Sequence, residues 1–243
     1  MNSKIFKLIN ENLDKTFNLP KYNDLVITPD SVVTDLPFTP AKLIKFRDSL
    51  CNELQFEEID LNGTITEVVA ELDKRYMHRF FGEIWQPSTD KHTYSGWSIV
   101  DRINKQNPKA VLDFGCGYNP FKNRINNLTG IDPFNDQADF MVDILDFKVE
   151  PNSFDHIIVF GSLNFGELED IKFRFKSLVN LLAPNGKMYF RANPGHQWPN
   201  GPYVDIFPWS FEVAYNLANE HGLKLDKFKK DTGNRIYFEM ENV

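Results

Sequence analysis

Two periodicities divide the chain. Over residues 4–17 the apolar Ile5, Leu8, Ile9 and Leu13 recur at helical spacing and predict an amphipathic helix stopped near Pro20. Thr39-Pro40 opens a second helix, with threonine as cap and proline at the first helical position. A third begins at Thr64-Ile65-Thr66-Glu67, the spacing of a capping box. Its Val68, Val69, Leu72, Tyr76 and Phe80 share one face, and Gly82 and Pro87 end it. Beyond residue 90 the pattern changes. Short apolar runs at 111–114, 128–131, 138–144, 154–160 and 187–192 read as strands, with helices at 97–106 and 167–182. A helix capped by Ser210 follows, then strands 223–230 and 235–240 turned at Thr232-Gly233-Asn234. Strand and helix in alternation predict a mostly parallel sheet covered by helices.

Several of these strands end in an acid, and that places candidate chemistry at one edge. Val111-Leu112-Asp113-Phe114-Gly115-Cys116-Gly117-Tyr118-Asn119-Pro120 runs from a buried strand into a glycine turn. Glycine there lets a ligand lie directly on the main chain. A dinucleotide loop would need a third glycine where Pro120 stands, and Asp113 would face the pyrophosphate with like charge. A carboxylate at the strand end suits instead a nucleoside that carries an ammonium or sulfonium. Pro120 fits the first turn of a following helix, and Cys116 simply fills the loop. Asp132, closing Leu128-Thr129-Gly130-Ile131, is placed to accept two ribose hydroxyls. Asp143 can accept from an adenine amino group while the next backbone N–H, that of Ile144, donates to the ring.

With these motifs in their order and spacing, the chain resembles the class I S-adenosylmethionine-dependent methyltransferases. VLDFGCG, LTGID, DFMVDI, FDHIIVFGSLN and LLAPNGKMYFRAN carry the resemblance, over roughly residues 95 to 243. Asn119 departs from the third small residue that many members have. The resemblance implies an α/β fold, a Rossmann-like, mostly parallel seven-stranded sheet with helices on both faces. It is preceded here by a helical N-terminal cap, with residues 1–90 as the cap and 91–243 as the cofactor-binding domain. The implied cofactor is S-adenosylmethionine, held by Asp113, Gly115, Cys116, Gly117, Asp132, Pro133, Asp143, Ile144 and Gly161. Residues 1–90 are either a lid over that site or a purely structural extension.

Composition narrows the setting. No apolar run approaches the roughly 20 residues of a membrane span, and the amino terminus turns polar at Asn10-Glu11-Asn12. Cys51 and Cys116 form no metal or redox spacing, so a reduced, cytoplasmic setting is expected. The formal net charge is −7, and the basic residues are scattered rather than gathered into a stripe. Lys224, Lys227, Lys229 and Lys230 read as a solvated strand face. A large polyanion such as nucleic acid is therefore disfavoured as partner.

The expected reaction is methyl transfer to a small molecule. Methylation of protein or RNA, and a non-catalytic protein on the same fold, are the alternatives; the acids at the strand ends count against the last. Positioning can supply roughly 7–11 kcal/mol of the barrier in such a displacement, so no obligatory catalytic residue is read from the chain. Gly161-Ser162-Leu163-Asn164 after the 154–160 strand is neither the Asn/Asp-Pro-Pro-aromatic tetrad of exocyclic-amine methyltransferases nor the Pro-Cys pair of cytosine-C5 enzymes. Candidate substrate contacts are Tyr94 upstream of the glycine loop, and His196, Tyr203 and Asp205 in the proline- and glycine-rich segment after residue 192. Trp97 is either a second aromatic near the cofactor or ordinary core.

Overall fold

The computed structural model describes residues 3–17, 39–84, 91–194 and 206–242. They fall into two compact units, divided between Met77 and His78.

In the first unit the helical periodicities become α1 (Ser3–Phe17), α2 (Pro40–Leu54) and most of α3 (Ile65–Arg79). Ile5, Leu8, Ile9 and Leu13 are buried, as are Phe46, Leu50 and Leu54 of α2, which packs on α1. Asn12, fully buried between these helices, donates to the Leu8 carbonyl and accepts from the Ser49 hydroxyl. The caps form as the sequence predicts. Thr39 accepts from the Lys42 N–H at 3.3 Å, with Pro40 next to it. At α3 the Thr64 N–H donates to Glu67 and the Glu67 N–H to the Thr64 hydroxyl. Gly82 does not stop α3 outright, because Phe80–Ile84 continue it as a π-helical turn.

The second unit is a six-stranded sheet. Its elements are α4 (Ser98–Asn104), β1 (Val111–Phe114), β2 (Leu128–Ile131), β3 (Phe154–Phe160), α5 (Leu168–Leu181), β4 (Leu182–Ala192), α6 (Phe211–Glu220), β5 (Leu223–Asp231) and β6 (Arg235–Asn242). The strand order is β2-β1-β3-β4-β6-β5. The pairs β2–β1, β1–β3 and β3–β4 are parallel, and β6 runs antiparallel to both its neighbours. β1 and β3 are apolar almost throughout because helices cover both faces. Leu112, Ile157, Met188, Phe190 and Phe238 face α5 and α6. Val111, Ile158, Tyr189 and Tyr237 face Ile99 and Ile103 of α4. Arg102 ties α4 to this face, donating to the Tyr237 hydroxyl and to the buried Glu239.

Seven strands were expected, and the described residues form six. The segment 138–144 contributes one parallel bridge, Phe140 to Ile131, instead of a strand. Its acids take local backbone partners that a ladder would otherwise use. Asp139 accepts from the Gly130 N–H and Asp143 from the Leu145 N–H. Phe140 and Met141 are left more than half exposed, so no apolar burial drives the segment into the sheet.

Candidate functional site

The strand ends converge on the loop after β1. Gly115 takes φ +67, and its N–H donates to the Ile131 carbonyl at 2.8 Å. A methyl group at Gly115 would overlap the Ser162 side chain, so only glycine lets the ends of β1 and β3 meet this closely. Gly117, at φ +54, is the opposite case. A Cβ there meets no protein atom within 4 Å, so the loop presents bare main chain to open space.

Two carboxylates flank this floor. Asp132 is 6% exposed and accepts from the Gly117 N–H at 3.0 Å and the Phe134 N–H at 2.8 Å. Burial raises its carboxyl from the ordinary value, and backbone donors from Phe134, Gly117 and Asn135 partly offset this. Asp113 is 3% exposed, and its carboxyl has no hydrogen bond to any described residue. Burial pushes its carboxyl up to about 8, and the charge of Asp132 adds to the rise. Two buried acids with one unpartnered are costly, and a cation laid beside them relieves the cost. Ser162, pressed against Gly115, also has a buried hydroxyl oxygen without a partner, and so does the Asn119 side-chain carbonyl. Asn119 sits at φ +55 and donates to the Gln137 carbonyl at 3.1 Å. These orphaned polar atoms fit a ligand carrying an ammonium and several hydrogen-bonding groups.

The other expected residues fall into place unequally. Pro133 follows Asp132 directly, in the turn that the Phe134 N–H closes on the Asp132 carboxylate. Gly161 takes φ +87, with its N–H on the Arg191 carbonyl at 2.8 Å. Ile144 is buried in the core on the α5 side. Asp143 is engaged on both oxygens: Leu145 donates to one at 3.0 Å and the Arg174 guanidinium to the other at 3.2 Å. Cys116 is buried, and desolvation raises its thiol well above the ordinary value, which fits a filling role and not a nucleophile. Trp97 packs edge-on to Phe121 with Arg124 over its ring, partly buried against the core on the α4 side. Tyr94 stacks on Tyr237 at 5.5 Å with Lys229 over its ring, alongside β5 and β6. His196, Tyr203 and Asp205 lie outside the described residues.

Sequence reasoning missed Ser162 and Asn119, and also a charged group at the carboxyl end of β4. Arg191, Asp231 and Arg235 stand there, brought together from three strands. No spacing in the chain announces that group, because Arg191 is remote in sequence from Asp231 and Arg235 and meets them only through the β4–β6 and β5–β6 pairings.

No protein-family model matches the chain, and no curated protein matches it. Solved structures do. The PH0226 protein from Pyrococcus horikoshii OT3 is similar with a TM-score of 0.50 at 16% identity, over 68% of this chain and 95% of that one. The 1,6-didemethyltoxoflavin-N1-methyltransferase of Burkholderia thailandensis, with bound 1,6-didemethyltoxoflavin and S-adenosylhomocysteine, has a TM-score of 0.49 at 15% identity, over 60% and 76%. The N-methyltransferase NodS of Bradyrhizobium japonicum WM9, in complex with S-adenosylhomocysteine, has 0.48 at 18% identity, over 60% and 85%. At these identities the likeness is one of fold, and the chain has a Rossmann-like α/β fold.

Proposed function

We propose that the chain is an S-adenosylmethionine-dependent methyltransferase acting on a small-molecule acceptor. The observation that carries this reading is the unpartnered, buried Asp113 carboxyl beside Asp132 and the open main chain of Gly117. Asp113 faces the ammonium of the cofactor's methionine end. Asp132, fixed by backbone donors, turns its remaining lone pairs to the ribose hydroxyls, with Pro133 beside it. Gly115, Cys116 and Gly117 form the floor, Gly161 and Ser162 the opposite wall. Asp143 and Ile144 take the adenine, Asp143 being held in orientation by Arg174.

When bound, the cofactor supplies a methyl carbon made electrophilic by its positive sulfur. The chain's own part is to hold the acceptor in line with that carbon and to keep water out. A general base is needed only for a hydroxyl or protonated amine acceptor, and none is assigned. Residues 1–90 serve as the cap to the 91–243 cofactor domain in this reading, although residues 78–84 belong to the same compact unit as that domain. In support of a small-molecule acceptor, the net charge of −7 disfavours a polyanionic one. Incubating the protein with S-adenosylmethionine and fractionated metabolite pools tests the reading. S-adenosylhomocysteine should appear with a small-molecule fraction; release only with RNA or protein, or with nothing, contradicts it.

A further inference from the structure

The carboxyl end of β4 carries more positive charge than its neighbours neutralise. By strand alternation Arg191 and Arg235 point to the α4 side of the sheet, the side of Tyr189 and Tyr237. Arg235 is 9% exposed, and its guanidinium makes one hydrogen bond among the described residues, to the Gly233 carbonyl at 3.2 Å. Arg191 donates through Nη2 to the Thr232 carbonyl at 3.0 Å and touches His92 Nδ1 at 3.4 Å. Its Nε is buried without a hydrogen bond, 3.6 Å from Asp231. Among the described residues Asp231 is the one carboxylate paired with Arg191, and it is already committed. It accepts from the Tyr94 N–H, the Ser95 hydroxyl and the Thr232 N–H. Arg191 thus shares a carboxylate that three other donors already engage, and the buried Arg235 has no carboxylate partner among the described residues. Burial lowers both below the ordinary value, and for Arg191 the charge of Arg235 adds to the fall.

A buried cation left unpaired is costly, and chains retain one where a ligand supplies the missing charge. The place is next to the cofactor floor, since the Arg191 carbonyl accepts from Gly161 and Arg191 is the strand partner of Phe160. We propose that Arg191 and Arg235 bind an oxyanion of the methyl acceptor, a carboxylate or a phosphate, and hold it against the carboxyl edge of β3 and β4. This rests on the methyltransferase reading and deepens it, naming the acceptor as a small anion. A planar guanidinium fork suits either oxyanion. A net charge of −7 does not oppose this, because the positive charge is local and buried.

The test uses the full chain and thermal unfolding in anion-poor buffer, with inorganic phosphate, acetate, and chloride at matched ionic strength. Phosphate or acetate should raise the melting temperature beyond chloride, and which of them does so separates a phosphate from a carboxylate acceptor. Arg235→Met should melt no lower than the wild type without anion, since it removes an unpaired charge. Its apparent anion affinity should fall about tenfold or more, the usual cost of a charged hydrogen bond. In the wild type, nitrogen-15 spectra of labelled arginine should show the Arg191 and Arg235 Nε signals moving first with phosphate, a readout that needs no variant to fold. No anion-specific rise, or an equal rise in Arg235→Met, overturns the proposal.

Calorimetry with S-adenosylhomocysteine keeps the two readings apart. Its affinity should be unchanged in Arg235→Met, and the phosphate response should persist when it is saturating. If it fails to bind the wild type, the cofactor reading falls, whatever phosphate does. If it binds but its affinity drops in Arg235→Met, or it abolishes the phosphate response, the arginines hold the cofactor's own carboxylate and the acceptor site is refuted.

Discussion

Asp113 is where elementary electrostatics says most about this protein. Its folded carboxyl titrates at about 8, against about 4 in an unfolded chain. Between those values the folded protein holds a proton that the unfolded chain has lost, so on this group's account stability falls as pH rises through that window. An ammonium placed beside Asp113 favours the ionised form and expels the proton. Binding of S-adenosylhomocysteine near about pH 6.5 should therefore release close to one proton, measured by calorimetry in buffers of different ionisation enthalpy. Asp113→Asn should release none; equal release in both proteins would assign the proton elsewhere. Asp113 and Asp132 were legible in the sequence because an acid at the end of an apolar run has few structural uses. Ser162 and the two arginines were not, because their significance lies in the partners they lack, and missing partners have no sequence signature.

At the scale of elements, glycines and caps separate fold from site. Gly117→Ala meets no protein atom and costs about 1–2 kcal/mol for its positive φ. It should leave the protein folded, as judged by circular dichroism, while abolishing S-adenosylhomocysteine binding, since the space it fills is the ligand's. Ser210 caps α6 by accepting from the Val213 N–H. Ser210→Ala should lower stability by about 1 kcal/mol in denaturant titrations and leave cofactor affinity unchanged. Helices were the most legible elements, since caps such as Thr39-Pro40 and Ser210 are local chemistry. The 138–144 strand failed because its apolar residues promised a ladder while Asp139 and Asp143 drew the backbone into turns. Both acids are visible in the chain, but which N–H each would reach is set by Gly130 and Leu145 in the folded loop.

For the whole molecule, the division near Met77 sets the expectation for truncation. The α/β unit keeps its own covering helices, α4 on one face and α5 and α6 on the other. Phe81, from the π-helical turn, stacks on Phe134 at 5.6 Å and must stay with it. A protein beginning at His78 should bind S-adenosylhomocysteine within a few-fold of the full chain but lose acceptor turnover if the preceding helices are a lid. Aggregation of that fragment in size-exclusion chromatography would mark them as structural cover instead. The change from helical to alternating pattern beyond residue 90 shows in the sequence because it is a change in hydrophobic period. The role of the first segment does not, since burying an apolar face looks the same whether a helix serves packing or substrate.

The central claim is that Asp113, Asp132 and the bare loop between them form one adenosyl site. Titrating the wild-type chain and Asp132→Ala with S-adenosylhomocysteine in a calorimeter tests it directly. One molecule should bind per chain, with affinity falling roughly 100-fold in Asp132→Ala through lost hydrogen bonds to a charged group, while circular dichroism stays unchanged. Absence of binding to the wild type, or equal affinity in the two proteins, would contradict the account.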